Sequence, residues 1–380
     1  MGSFITLQEF YLMRPTRVRN IVFFFFACEV LLNHLVKSAI EHYNNSSIVF
    51  PRAAHCSLHQ VALEMVHFSS PPGSASYRKL NHVLSLNEKF HISLGPTIFS
   101  TTERSVARML QGYGLRQAEL SPAPSDHNVT LVETKWSKSR CPITDRDCRH
   151  QGRIIIQSEQ YFGDHIQLCH ESHNCVIFEF SDYNYEKAMK NNYAESFVLL
   201  PVMTQSPSRL SPFVPPVRKE LKGRLHDFVF FGAMTARRRE HLPRLLASHL
   251  KTCANCSVVI SRDQHLPSIA NAYKEAKVCL ILHSYAKDSG GEYHRLSEVT
   301  PFGCVPVVES FSDRLGVSAY AAHGGVVFAD IEELANATKV VLHMIDSGHF
   351  DHRINESVRW WNAGIQWELV LSSVPHNPHP

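Results

Sequence analysis

No stretch of the 380 residues reaches eighteen uninterrupted apolar positions, which excludes a polytopic membrane protein. Charge is scarce too: 19% of residues are Asp, Glu, Lys or Arg, the formal net charge is +3, and no long basic block occurs. A nucleic-acid partner therefore lacks its electrostatic footprint. Ten cysteines are too sparse for a disulfide scaffold, and Cys253-Ala-Asn-Cys256 is the one C-x-x-C, half of what a zinc ribbon needs. Twenty-four histidines include no H-E-x-x-H. Neither a G-x-S-x-G elbow nor a Walker lysine loop occurs, which argues against a hydrolase or a P-loop kinase. No internal repeat or low-complexity tract is found.

What is present is ordinary globular material. With 44% apolar and 10% aromatic residues, the chain has enough apolar surface for a core and length for two or three domains. Six N-x-S/T sequons stand at Asn44, Asn45, Asn128, Asn255, Asn336 and Asn355. Chance predicts roughly two, so the excess leans toward the lumen of the secretory pathway. The apolar run at 21–27, preceded by Arg14, Arg17 and Arg19, reads as a signal anchor with the body lumenal. Glu29, Asn33, His34 and Lys37 interrupt it, so a strand followed by an amphipathic helix over 1–40, in a cytoplasmic protein, is the competing reading. Cys141/Cys148 and Cys169/Cys175 stand close enough to bridge in an oxidising compartment.

Apolar runs at 47–50, 90–94, 130–133, 153–157, 176–180 and 197–200 alternate with helix-period segments such as 102–112 and 185–190. That alternation predicts α/β layering on a mostly parallel sheet over 41–205. A stretch rich in proline and serine follows, with its linker core at 206–222. The rhythm then restarts: strands at 227–232, 257–260, 278–283, 305–309 and 326–328, helices at 237–249, 267–276, 292–302 and 331–344. This second domain spans 223–357. A terminal segment, 358–380, carries Trp360, Trp361 and Trp367 and is expected to pack across both domains. Ligands of such sheets sit at the carboxyl ends of the strands.

The segment from His283 to Glu309 carries the chemistry. A strand ends at His283, a Gly-rich loop follows, and a helix near Glu292 directs free N–H groups at an anion such as a diphosphate. Arg295 adds charge-assisted hydrogen bonds, and Glu298, three residues on, accepts from ribose hydroxyls. Gly303 ends the helix and a core strand returns.

Arg295-Leu-Ser-Glu298 followed by Gly303-Cys-Val-Pro-Val307 resembles the donor signature of GT-B-fold glycosyltransferases, and of the exostosin-like family among them. In the paired-glutamate pattern the first acid falls at Gly290, and Glu292 stands two residues beyond it. Asp227 to Gly232, then Thr235 and Arg237-Arg238-Arg239, is similar to the opening of the donor domain in these enzymes. The resemblance covers about residues 150–315.

It implies a GT-B-like α/β fold, two Rossmann-like domains facing a cleft and joined by the Pro-rich linker. It also implies transfer of a sugar from a nucleotide-diphosphate donor to a glycan, protein or small-molecule acceptor, with no metal. Gly232, Thr235, Arg237, Arg238, His283, Arg295, Glu298 and Gly303 are then the donor-binding residues. Glu159, Asp182 and Glu292 are the catalytic candidates, the first two as general bases. Two alternatives stay open: an inactive GT-B-like binding or scaffold protein, and a metal-dependent transferase using the D-x-D of Asp145 and Asp147.

Overall fold

A computed structural model describes residues 58–93, 100–117, 129–134, 151–157, 164–200, 210–250, 257–261, 265–284, 293–313, 317, 320–321 and 325–363. The N-terminal segment to residue 57, the first expected strand at 47–50, Cys141/Cys148 and Cys253/Cys256 lie outside them.

Two all-parallel sheets with helices between their strands make up the α/β fold that the alternation predicts. The first contains β1 (Lys89–Ser93), β2 (Arg116–Gln117), β3 (Val129–Thr134), β4 (Arg153–Gln157), β5 (Cys175–Glu179) and β6 (Phe197–Leu199), in the order β2-β1-β3-β4-β5-β6. Its helices are α1 (Leu58–Ser69), α2 (Ala75–Ser85), α3 (Ser100–Gly112), α4 (Asp164–Glu171) and α5 (Asp182–Lys190). The second contains β7 (His226–Phe231), β8 (Val258–Ser261), β9 (Ala276–Ile281), β10 (Val305–Glu309) and β11 (Val327–Ala329), in the order β11-β10-β9-β7-β8. Its helices are α6 (Ala236–Leu250), α7 (Leu266–Lys274), α8 (Tyr293–Val299), α9 (Leu334–Asp346) and α10 (Asp351–Ala363).

The central strands are apolar throughout because helices cover both faces of a parallel sheet. Ile154, Ile155 and Ile156 of β4 and Val305, Val307 and Val308 of β10 are all buried. A continuous apolar cluster runs from Phe90, Val132 and Phe178 in the first half to Val229, Ile281 and Phe328 in the second.

Three features depart from the sequence reading. Helices α1, α2 and α4 are helices for which the sequence reading gave no bounds. Helix α10 begins at Asp351, before the expected boundary at 358, because Ile354 and Val358 bury one face of an earlier turn. Cys279 and Cys304 form a disulfide that no spacing announced, since the register sets Cys279 opposite Pro306, two residues from Cys304. Cys169 and Cys175 are bridged as their spacing allows. Trp361 stacks on Tyr320 at 5.4 Å, and Trp360 packs against the apolar clusters of both halves; Trp367 lies outside the described residues. Among the described residues no helix is long and apolar enough to cross a membrane.

Candidate functional site

One strand in each half ends in a buried glutamate. Strand β5 reads Cys-Val-Ile-Phe-Glu179 and β10 reads Val-Pro-Val-Val-Glu309, and the two glutamates are 2% and 1% exposed. A charge in so dry a place must be paired or neutralised. The two glutamates meet that demand differently.

Glu309 is paired. Its carboxylate accepts from Nη1 of Arg237 at 3.1 Å, from Nη2 of the same guanidinium, and from the His283 backbone N–H at 2.9 Å. The His283 ring is buried, with Nε2 3.0 Å from the Glu309 carbonyl oxygen and its face 5.4 Å from the Phe311 ring. The strands β7, β9 and β10 are neighbours in parallel register, so Gly232, His283 and Glu309 cluster at one carboxyl edge.

Among the described residues no cation pairs with Glu179. Its Oε1 accepts the backbone N–H groups of Phe180 (2.8 Å) and Ser181 (2.9 Å), while Oε2 is buried without a hydrogen-bond partner. Burial pushes this carboxyl well above the usual carboxylate range. The two N–H bonds and the nearby Asn184 side chain pull the other way, and the charge of Asp313 adds to the rise. Asp313, four residues past β10, is itself buried and accepts the Ser181 hydroxyl (2.5 Å) and the Tyr183 N–H (3.0 Å). Ser181 also caps α5 by accepting from the Asn184 N–H. The carboxyl edges of the two sheets therefore meet at this junction.

The expected site residues fall into three groups. Gly232, Arg295 and Arg237 converge at the edge of the second sheet. A Cβ at Gly232 would lie 2.9 Å from Nη1 and 3.1 Å from Nη2 of Arg295, and 3.1 Å from Nη1 of Arg238, so only glycine admits both guanidinium groups. Arg295 also donates to the Phe231 carbonyl. Glu298 is partly exposed one turn along α8, Thr235 receives the Arg238 N–H at the start of α6, and Asp182 is buried beside Ser181.

A second group is corrected. Arg238 was expected to face a ligand, but it is wholly buried: Nε and Nη2 donate to the Leu282 carbonyl and Nη1 to the Ala233 carbonyl. Its cation lies over Phe230, 5.4 Å from the ring centroid, and it fixes the loop after β7 to the end of β9. Arg237 was expected to be available to phosphates, and Glu309 instead engages it from two oxygens. Gly303 stands at the entry of β10, the opposite end of that strand from Glu309. There its φ of +72° caps a 3-10 turn, and a Cβ would meet Arg218 at 2.8 Å. The backbone shape by itself calls for glycine there.

The third group, Glu159, Glu292, Asp145 and Asp147, lies outside the described residues. Among the described residues no group of three or more His, Cys, Asp or Glu is placed to hold a metal ion. Glu179, Glu309 and Asp313 were missed, although an acid closing an all-apolar strand was a signal open to reading in the first two.

No family model matches the chain, and no curated protein matches it in sequence. Solved structures that resemble it are GT-B-type glycosyltransferases. An alpha-glucosyltransferase in complex with UDP is 9% identical at a TM-score of 0.46, over 75% of this chain and 97% of that one. A UDP-forming trehalose-phosphate synthase from Burkholderia xenovorans is 11% identical at 0.44, over 80% and 86%. An alpha1,3-fucosyltransferase with GDP-fucose is 11% identical at 0.39, over 77% and 91%. Likenesses of this size do not by themselves carry a substrate or an activity to this chain.

Proposed function

We propose that this protein transfers a glycosyl group from a nucleoside-diphosphate sugar to an acceptor hydroxyl. The observation that carries the reading is the packing of the Arg295 guanidinium onto Gly232, at the carboxyl end of a central strand. Open α/β sheets bind ligands at that edge. A planar cation there suits a diphosphate, and Glu298 on the same helical face suits a ribose diol. In the transfer the anomeric carbon–oxygen bond breaks and the diphosphate leaves with the electron pair. Arg295 offsets the charge that develops on the leaving oxygen, and the acceptor oxygen bonds the anomeric carbon as its proton passes to a base. Asp182, at the junction of the sheets, is the described candidate for that base; Glu159 is the other.

We place the reaction in the secretory lumen, with an exostosin-like specificity and no metal. The six sequons and two buried disulfides support an oxidising compartment. The test is a thermal-shift series against UDP, GDP, ADP and CMP, each with EDTA and with Mn²⁺. A ligand at a hundred times its Kd stabilises by about 2.7 kcal/mol. One nucleoside diphosphate is expected to shift the wild type in EDTA and to lose its effect in Arg295→Ala. A response seen only with Mn²⁺ would favour the Asp145/Asp147 reading, and silence across all four nucleotides the scaffold reading.

A further inference from the structure

Four of the six sequons place their hydroxyl residue within the described structure, and in each that hydroxyl is tied down by the fold. Thr130, wholly buried in β3, has its Oγ1 3.1 Å from Nδ2 of Asn87. Ser257 Oγ lies 2.8 Å from the His226 ring. Thr338 donates to the Leu334 carbonyl at 2.8 Å from inside α9, and Ser357 donates to the Arg353 carbonyl at 2.8 Å from inside α10. Thr338 and Ser357 are 1% and 4% exposed. Gly325 presses on the second of them so closely that a Cβ there would overlap the hydroxyl. The acceptor asparagines of these last two sequons, Asn336 and Asn355, are by contrast exposed on their helices.

We propose that Asn336 and Asn355 are N-glycosylation sites, and that both are modified before α9 and α10 fold. The transferring enzyme must read the hydroxyl two residues after the asparagine, and the folded helices withhold it. The extended nascent chain presents it. Once attached, the glycan projects from a position that is already solvent-facing, so the fold closes beneath it. In the reaction Nδ2 of asparagine bonds the anomeric carbon of a lipid-diphosphate oligosaccharide. The bond from that carbon to the diphosphate oxygen breaks, the lipid diphosphate leaves with the electron pair, and Nδ2 releases one proton. The inference rests on the lumenal part of the proposed function and is independent of the transferase activity.

The test is translation of the full chain with microsomes, read by endoglycosidase-sensitive mass. Asn336→Gln and Asn355→Gln should each remove one increment. So should Thr338→Val and Ser357→Ala, which leave the asparagines in place. Microsomal enzyme added to chain already folded and oxidised should attach nothing at either position; equal modification of the folded chain would overturn the timing. A parallel translation with a cleavable leader separates the premises. Increments present with the leader and absent without it would leave the two asparagines standing and overturn the lumenal placement. Absence of both increments in the leader-bearing chain would overturn the sites themselves.

Discussion

The Ser181 hydroxyl donates to the Asp313 carboxylate across 2.5 Å, joining the cap of α5 in the first half to the segment beyond β10 in the second. The two residues are 132 positions apart, yet the same carboxylate oxygen also receives the Tyr183 N–H. Asp313→Ala should strip the buried hydroxyl and N–H of their acceptor at once. A loss of about 1–3 kcal/mol for each unsatisfied group is expected. Urea denaturation would measure it, and an unchanged midpoint would show that the junction contributes nothing to stability.

Glu179 gives the molecule a pH dependence of opposite sign to that of most carboxylates. The unfolded chain releases this proton in the ordinary carboxylate range, whereas the folded chain holds it to higher pH. Between those two points the folded state binds more protons, so this group lowers stability progressively as pH rises through the folded pKa. Glu179→Gln keeps an acceptor for Phe180 and Ser181 and removes the titration. Its Tm should exceed the wild type's at pH 8, and the gap should close at pH 4. A gap independent of pH would count against a neutral Glu179 carboxyl in the fold.

Lys79 titrates with a different consequence. Desolvation lowers its ammonium to about 8, although Nζ donates to the Cys169 and His170 carbonyls and to Ser196 Oγ. The folded chain sheds the proton near pH 8 and the unfolded chain only in the ordinary lysine range, near 10.5. This group therefore adds stability as pH rises through that interval. Lys79→Met should flatten the stability profile there, as denaturation at pH 7.5 and 10 would reveal.

The pair of Arg237 and Glu309 makes a double-mutant cycle informative. Removing one partner leaves a buried charge and should cost about 3–5 kcal/mol, while replacing both with apolar residues of similar size should cost much less. Arg237→Met, Glu309→Leu and the double variant, compared by chemical denaturation, check this. Additive losses would mean that the two residues do not act as a pair.

Gly232→Ala tests the donor edge itself. The new methyl group collides with Arg295 and Arg238, so one guanidinium must move, at a cost of about 1–3 kcal/mol. Calorimetric titration with the nucleoside diphosphate that stabilises the wild type should show weakened binding. Undiminished affinity would remove Arg295 from the donor site.

Much of the architecture was legible because buried parallel strands are continuous apolar runs. Strands β4 and β10 match their expectations to the residue. Helices α1, α2 and α4 received no bounds from the sequence although a pattern is there: Tyr77, Leu80, Val83 and Leu84 recur at helical spacing in α2, and Val61, Met65 and Val66 in α1, each diluted by the histidines and serines between them. Within the site, the sequence pointed to Gly232 and Arg295 but not to their contact, which joins residues 63 apart. It overestimated Arg237 and Arg238, since a run of arginines opening a helix looks solvated until Glu309 and the Leu282 carbonyl are brought beside it. The link from Ser181 to Asp313 exists only once both sheets are complete.

Helix α10 packs against α1, and Trp360 leans on the cluster that contains Val61 and Met65. Synthesis runs in the other direction. The first half leaves the ribosome long before residues 351–363 are made, and until then the surface that Trp360 covers stays wet. Helix α1 thus waits for α10 to finish its core, and a translation product halted after β11 would carry an open apolar seam for chaperones to recognise.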